Sequence, residues 1–93
     1  MGAHTFYAAY EANNAEQAYN ALVQQAIYDH GHDPYNGTIS TTDGFRMITT
    51  KPDETPRDTC IRAEDLAEKR GECCCWQDQK NPQIWHFAGW AAE

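Results

Sequence analysis

The sequence contains no CxxC pair, no HExxH, no GxGxxG, no P-loop and no GxSxG. These patterns place metal ligands, phosphate-cradling amides or a nucleophile at fixed spacings, so their absence removes the readable forms of zinc, dinucleotide, nucleotide-triphosphate and hydrolase sites. No apolar run approaches the ~18 residues of a membrane span, and Met1 to Glu11 lacks the charged start and apolar stretch of a signal peptide. The expected location is therefore the cytosol, with no membrane contact. Basic residues are scarce. Seven Lys and Arg face fourteen Asp and Glu, for a net charge of −7, and none of the seven precedes Arg46. Such a chain cannot neutralise a run of phosphates by releasing counterions, which argues against general nucleic-acid binding.

What is present suits one compact domain. Ninety-three residues that are 41% apolar and 12% aromatic can fill a single core spanning residues 1–93 and leave no room for a second. Cysteine is used oddly, as Cys60 and the adjacent trio Cys73, Cys74 and Cys75. Neighbours on a strand point to opposite faces, so the trio cannot act together. Buried free thiols are expected rather than a metal centre or disulfides, which would need an oxidising compartment.

Periodicity defines the elements. Residues His4 to Glu11 read as a strand, and Asn13 and Asn14 as the cap of a following helix. Ala15, Ala18, Tyr19, Leu22, Val23, Ala26 and Ile27 recur at alternating steps of three and one with polar residues between them, which predicts an amphipathic helix ended by Gly31. Thr38 to Thr50 is rich in Thr and Ile and split by Asp43 and Gly44, the pattern of a β-hairpin. A three-residue loop with Gly44 left-handed would gather Ile39, Thr41, Phe45 and Met47 on one face and leave Arg46 and Ile48 on the other. Thr55, Pro56 and Asp58 carry the signature of a helix start, and this second helix is expected to reach Arg70 and stop at Gly71. Cys73 to Trp76 and Gln83 to Ala92 read as two strands around the turn residues Asp78 to Pro82.

In order these elements spell β-α-β-β-α-β with an extra C-terminal strand. The expected fold is α+β, a ferredoxin-like split βαβ with both helices on one face of an antiparallel sheet. One feature conflicts with a sheet that is wet on its second face. Phe6 and Tyr10 alternate with Tyr7 on the first strand, and Ile84 and Trp90 oppose Trp85 and Phe87 on the last. Aromatics on both faces predict that the second face is covered as well, most simply by a second copy in a two-fold homo-dimer joined through the sheet face or edge that carries Tyr7, Trp85 and Phe87, or through its opposite with Trp90.

Three segments carry a resemblance: Met1 to His4, the central YDHGHDPYNGTISTTDGF from Tyr28 to Phe45, and the ending FAGWAAE from Phe87 to Glu93. Together they cover about a third of the chain and resemble small uncharacterised proteins of tailed bacteriophages and prophages. The resemblance implies a viral origin and action in the cytoplasm of an infected bacterial host. It carries no activity over to individual residues, and the Cys73 to Cys75 trio has no counterpart in it.

The densest polar cluster is His30, His32, Asp33, Tyr35, Asn36 and Gly37. Much of it is accounted for by helix termination and a turn. Read functionally, Tyr and His offer stacking faces while Asn, Asp and backbone amides offer directional hydrogen bonds, the set that a nucleobase or similar ligand requires. A metal held by His30, His32 and Asp33, with His4 or His86, is a weaker alternative because convergence is not written in the sequence. Arg46, expected on the covered sheet face, would meet phosphate. No nucleophile stands near a base in any local motif, and Glu64 and Asp65 diverge by about 100° as helix neighbours. The sequence thus points to a non-enzymatic protein without cofactor or metal that sequesters a small nucleotide-type ligand, such as a bacterial immune signal, through His30, His32, Asp33, Tyr35, Asn36, Gly37 and Arg46. The acidic balance supports an alternative, an inhibitor that docks onto a host defence or nucleic-acid-handling protein.

Overall fold

A computed structural model describes residues 3–31, 38–67 and 71–92. Its elements are β1 (Ala3–Glu11), α1 (Ala15–His30), a 3-10 turn (Ile39–Thr41), β2 (Phe45–Met47), α2 (Pro56–Leu66), β3 (Cys73–Gln77) and β4 (Ile84–Ala92). The fold is α+β, and no helix among the described residues is long and apolar enough to cross a membrane.

The helix starts follow their caps. The Asn14 side chain accepts from the Gln17 amide at 2.8 Å, and Gly31, at φ +81°, closes α1. Thr55 and Asp58 form a reciprocal capping box around Pro56, which needs no partner for a missing N–H at the first helical turn. Contrary to the expected end at Arg70, α2 stops at Leu66, and Ala67 is already extended. The apolar stripe ends there too, because Glu68, Lys69 and Arg70 give the helix nothing further to bury.

The strands form one mixed sheet in the order β1-β4-β3-β2. β1 and β3 each pair antiparallel with β4, whereas β2 pairs parallel with β3, Phe45 opposite Cys73 and Met47 opposite Cys75. The expected hairpin over Thr38 to Thr50 is therefore absent. Ile39–Thr41 forms a 3-10 turn because hydroxyls satisfy its backbone locally: Thr38 Oγ1 accepts from the Ser40 amide, Thr41 Oγ1 donates to the Thr38 carbonyl at 2.8 Å and Thr42 Oγ1 to the Ile39 carbonyl at 2.7 Å. Thr and Ser can offer the chain this alternative to a ladder. Gly44 does adopt a positive φ, +110°, but it delivers the chain into a β2-α2-β3 crossover rather than a hairpin.

The second correction concerns the faces. α1 packs Ala15 and Ala18 against Cys73, Cys75 and Phe87, with Phe6, Phe45 and Trp85 at the margin. α2 packs Ala63 against Cys74, Trp76 and Ala88, with Ile48 alongside. The helices lie on opposite faces of the sheet, and the ferredoxin-like arrangement of two helices on one face does not hold. The expected alternation itself is correct: Phe6, Trp85 and Phe87 belong to one core, while Trp90 on the other face donates from Nε1 to the Glu64 carbonyl of α2 at 3.0 Å. Phe6, Trp85 and Phe87 on one face and Trp90 on the other are met by a helix on each, so they no longer call for a dimer through the sheet face, while Tyr7 and Tyr10 of β1 stay exposed.

All four cysteines are free, and the trio is buried with Cys74 turned away from Cys73 and Cys75. On the α1 face Tyr19 ties the helix to the turn ahead of β2. Its hydroxyl lies 2.6 Å from Thr42 Oγ1 and accepts from the Gly44 amide at 3.0 Å.

Candidate functional site

The site is built at the end of the sheet where β3 turns into β4. Asp78 directs that turn: its Oδ2 accepts from the amides of Lys80 and Asn81 at 3.0 and 2.9 Å, while its own amide donates to the Ile84 carbonyl. The turn sets Trp76 directly opposite His86 on β4. Their rings lie nearly parallel, 13° apart with centroids 5.3 Å apart, and both side chains are buried.

His86 is held at both nitrogens. Nε2 lies 2.7 Å from Asp78 Oδ1, and Nδ1 lies 2.5 Å from Tyr7 Oη on β1. An ionised carboxylate only accepts, so Nε2 carries the proton and donates to Asp78. In neutral imidazole this leaves Nδ1 to accept from the Tyr7 hydroxyl. If the ring is protonated, Nδ1–H can donate to the same oxygen, and the chain of contacts survives either state. The hydrogen bond to His86 and those from Asn81 and Lys80 hold the Asp78 carboxyl below its usual range. Burial, with the charges of Cys60 and Asp78, raises the Tyr7 phenol. Both imidazole nitrogens are thus engaged within the protein.

Trp76 and His86 floor a cleft of about 190 Å³. One wall comes from Thr50 and from Pro56 and Thr59 at the start of α2; the other is the turn, through Asp78, Gln79 and Lys80. A wider hollow of about 410 Å³, lined by Met47 to Thr50 and Gln77 to Gln79, adjoins it through Thr50, Asp78 and Gln79. The α2 wall is braced by Glu54, whose Oε1 accepts from the Thr59 hydroxyl at 2.9 Å and whose carboxylate takes two hydrogen bonds from Arg62. The arrangement offers an apolar, partly aromatic floor with hydroxyl, amide, carboxylate and ammonium groups around it, the usual composition of a small-ligand pocket.

Of the ligand-binding residues singled out from sequence, only His30 and Arg46 fall among the described ones. His30 closes α1, and His32, Asp33, Tyr35, Asn36 and Gly37 lie outside the described residues. Arg46 is exposed on β2 opposite Cys74, and it lines neither hollow. His4 and His86 sit on opposite faces of the sheet, and among the described residues no group of three or more His, Cys, Asp and Glu could hold a metal. Tyr7, Trp76, Asp78 and His86 had a readable signal. A turn over Asp78 to Pro82 pairs Trp76 with His86 across the two strands, and β alternation puts both on one face with Tyr7.

No family model matches the chain, and neither a curated protein nor a solved structure does.

Proposed function

We propose that the protein binds a small planar ligand of the nucleotide type in the cleft above Trp76 and His86 and holds it without altering it. The observation that carries this reading is the conjunction of a buried Trp76–His86 stack with Thr50, Asp78, Gln79 and Lys80 converging on one cleft. A base would lie against the floor and exchange hydrogen bonds with the Thr50 hydroxyl and Gln79 amide, and Lys80 would meet phosphate, extending toward the wider hollow. Both nitrogens of His86 are taken by Tyr7 and Asp78, so the ring would meet a ligand through its face rather than through a hydrogen bond. The phage resemblance of Tyr28 to Phe45 directs the choice of ligand to a bacterial immune signal, sequestered in the cytoplasm of an infected host.

The test is calorimetry and thermal shift with a panel of mono-, di- and cyclic nucleotides. A bound member should lose about tenfold or more in affinity with Lys80→Ala or Gln79→Ala, and it should be recovered intact after heat denaturation, where an enzyme would return product. Tyr35→Ala and Arg46→Ala in the same assay separate this cleft from the His30 to Gly37 segment as the place of binding. A panel that gives neither heat nor thermal shift removes the reading.

A second reading, the acidic inhibitor of a host protein, is favoured by one observation: Tyr28 is 90% exposed on α1, in the part of the chain that has no Lys or Arg. An exposed aromatic amid acidic and neutral polar groups suits a basic protein surface.

A further inference from the structure

β1 is an open edge. It is nine residues long, lies at the end of the sheet order and pairs without a bulge from Ala3 opposite Ala92 to Glu11 opposite Ile84. No described element pairs with its outer side. Proteins guard such edges with Lys, Pro, bulges or very short strands, because unpaired N–H and C=O groups recruit another strand. The opposite edge is guarded in this way: β2 has three residues and carries Arg46. Along Ala3–Glu11 there is no Lys, Arg or Pro, and the one acid is the last residue.

The ladder fixes which groups face outward. The Ala12 amide donates to the Gln83 carbonyl at 2.8 Å, and these two residues continue the β1–β4 register directly opposite each other. Even-numbered residues of β1 are therefore the hydrogen-bonded pairs with β4, and the odd-numbered ones turn N–H and C=O away from the sheet. The neighbouring ladder agrees. The Asp78 amide donates to the Ile84 carbonyl directly opposite, so β4 uses its even residues toward β3 and keeps its odd residues for β1. The outward set on β1 includes Thr5, Tyr7, Ala9 and Glu11, all exposed.

We infer that β1 pairs antiparallel with β1 of a second copy about a two-fold axis at Tyr7, joining two four-stranded sheets into one of eight strands. Tyr7 is the midpoint of the strand, so this register overlaps its full length. Tyr7 also belongs to the outward-facing set, so the axis falls on a pair that can exchange both hydrogen bonds. Thr5 then faces Ala9 of the second copy, and every paired position has matching parity, which keeps the α1 faces together and the α2 faces together. No like charges oppose one another, since Glu11 meets Ala3 and His4 meets Tyr10. The axis is also unobstructed by the largest side chain near it. The Tyr7 ring leans inward over the sheet, 5.8 Å from the His86 ring on β4 and 6.3 Å from that of Trp76 on β3. A foreign strand would need none of these symmetries, whereas a second copy needs all of them. The interface closes at two chains because it consumes the long edge of each.

Sedimentation of the full chain with residue-resolved amide exchange tests this. The expected result is a dimer that dissociates on dilution, with the Thr5, Tyr7 and Ala9 amides slowing by about tenfold or more in the dimer while those of Phe6 and Ala8 are protected at every concentration. Ala9→Pro removes an outward N–H and no internal ladder bond, so it should give a folded monomer; Ala8→Pro removes an internal bond and should unfold or strongly destabilise the chain. A chain that is monomeric at every concentration overturns the inference. So does a dimer whose odd-numbered amides exchange as fast as in the monomer, or a folded Ala9→Pro variant that remains dimeric. Should Ala9→Pro fail to fold, the exchange pattern of the unaltered chain decides alone.

Discussion

Arg62 of α2 donates from Nε to Glu54 Oε2 at 2.8 Å and from Nη2 to Glu54 Oε1 at 2.9 Å, gripping the segment that precedes its own helix. The same Nη2 donates to the Thr49 carbonyl, and Glu54 Oε1 also accepts from the Lys51 amide and the Thr59 hydroxyl. One ion pair thus fixes the wall of the cleft from Thr49 to Thr59.

The Arg62 hydrogen bonds, with those of the Lys51 amide and Thr59, lower the Glu54 carboxyl from 4.5 to about 2. A carboxyl depressed on folding contributes stability above its unfolded value, and that contribution is lost as pH falls through the folded value. Glu54→Gln should therefore be less stable than the native chain at neutral pH, and the gap should close between pH 4.5 and about 2. Urea midpoints of both proteins across that range check it. A gap that stays constant with pH would show that the ionised Glu54 carboxylate is not the form that stabilises the fold.

Core and surface aromatics should separate sharply. Phe87 is fully buried between Tyr19 and Phe45, meeting Phe45 edge-on at 88°. Phe87→Ala should cost about 3 to 5 kcal/mol, enough to unfold much of so small a domain. Tyr28→Ala, at a position 90% exposed, should stay within about 0.5 kcal/mol of the native chain. Equal denaturation midpoints for the two variants would contradict the packing of α1 on the sheet.

Gly89 is required by proximity. A methyl group there would stand 3.0 Å from Cys73 Cβ, 3.2 Å from Cys73 Cα and 3.2 Å from Ala67 Cβ. None of these atoms is the free end of a flexible side chain, so β3 or the end of α2 must shift. Gly89→Ala should destabilise by about 1 to 3 kcal/mol, measurable by thermal or urea unfolding.

Thiol reactivity should follow burial. Burial first, then the neighbouring thiols, pushes Cys73 and Cys75 up to about 12, and burial also raises Cys74. Cys60 is partly exposed, although burial and Glu64 raise it as well. Because the thiolate is the reactive form, a disulfide reagent at pH ~8 should modify at most Cys60 in the folded protein and all four cysteines in denaturant. Rapid labelling of the trio in the folded state would show that β3 is not the interior strand described.

The elements governed by local chemistry were legible from the sequence. Asn14 and the Thr55–Asp58 box begin their helices because their side chains reach amides only three residues away. The step-three, step-one spacing from Ala15 to Ile27 builds one apolar face, whatever that face later meets. The same holds for the alternation of Tyr7 against Phe6 and Trp90 against Phe87, since a period of two is a property of the single strand. The tertiary structure alone decided what those faces meet. Thr38 to Thr50 has the composition of a hairpin, yet its outcome depended on two competitors that composition does not weigh: hydroxyl groups able to close a 3-10 turn, and a distant strand, Cys73–Gln77, able to bond β2 in parallel. Once β2 joined β3 through α2, that helix had to cross the face opposite α1. The site followed from this placement, because Tyr7, Trp76, Asp78 and His86 come together only when β4 lies between β1 and β3. Local spacing determines which way a side chain points, whereas strand order, set by pairings between residues far apart in the chain, determines what it touches.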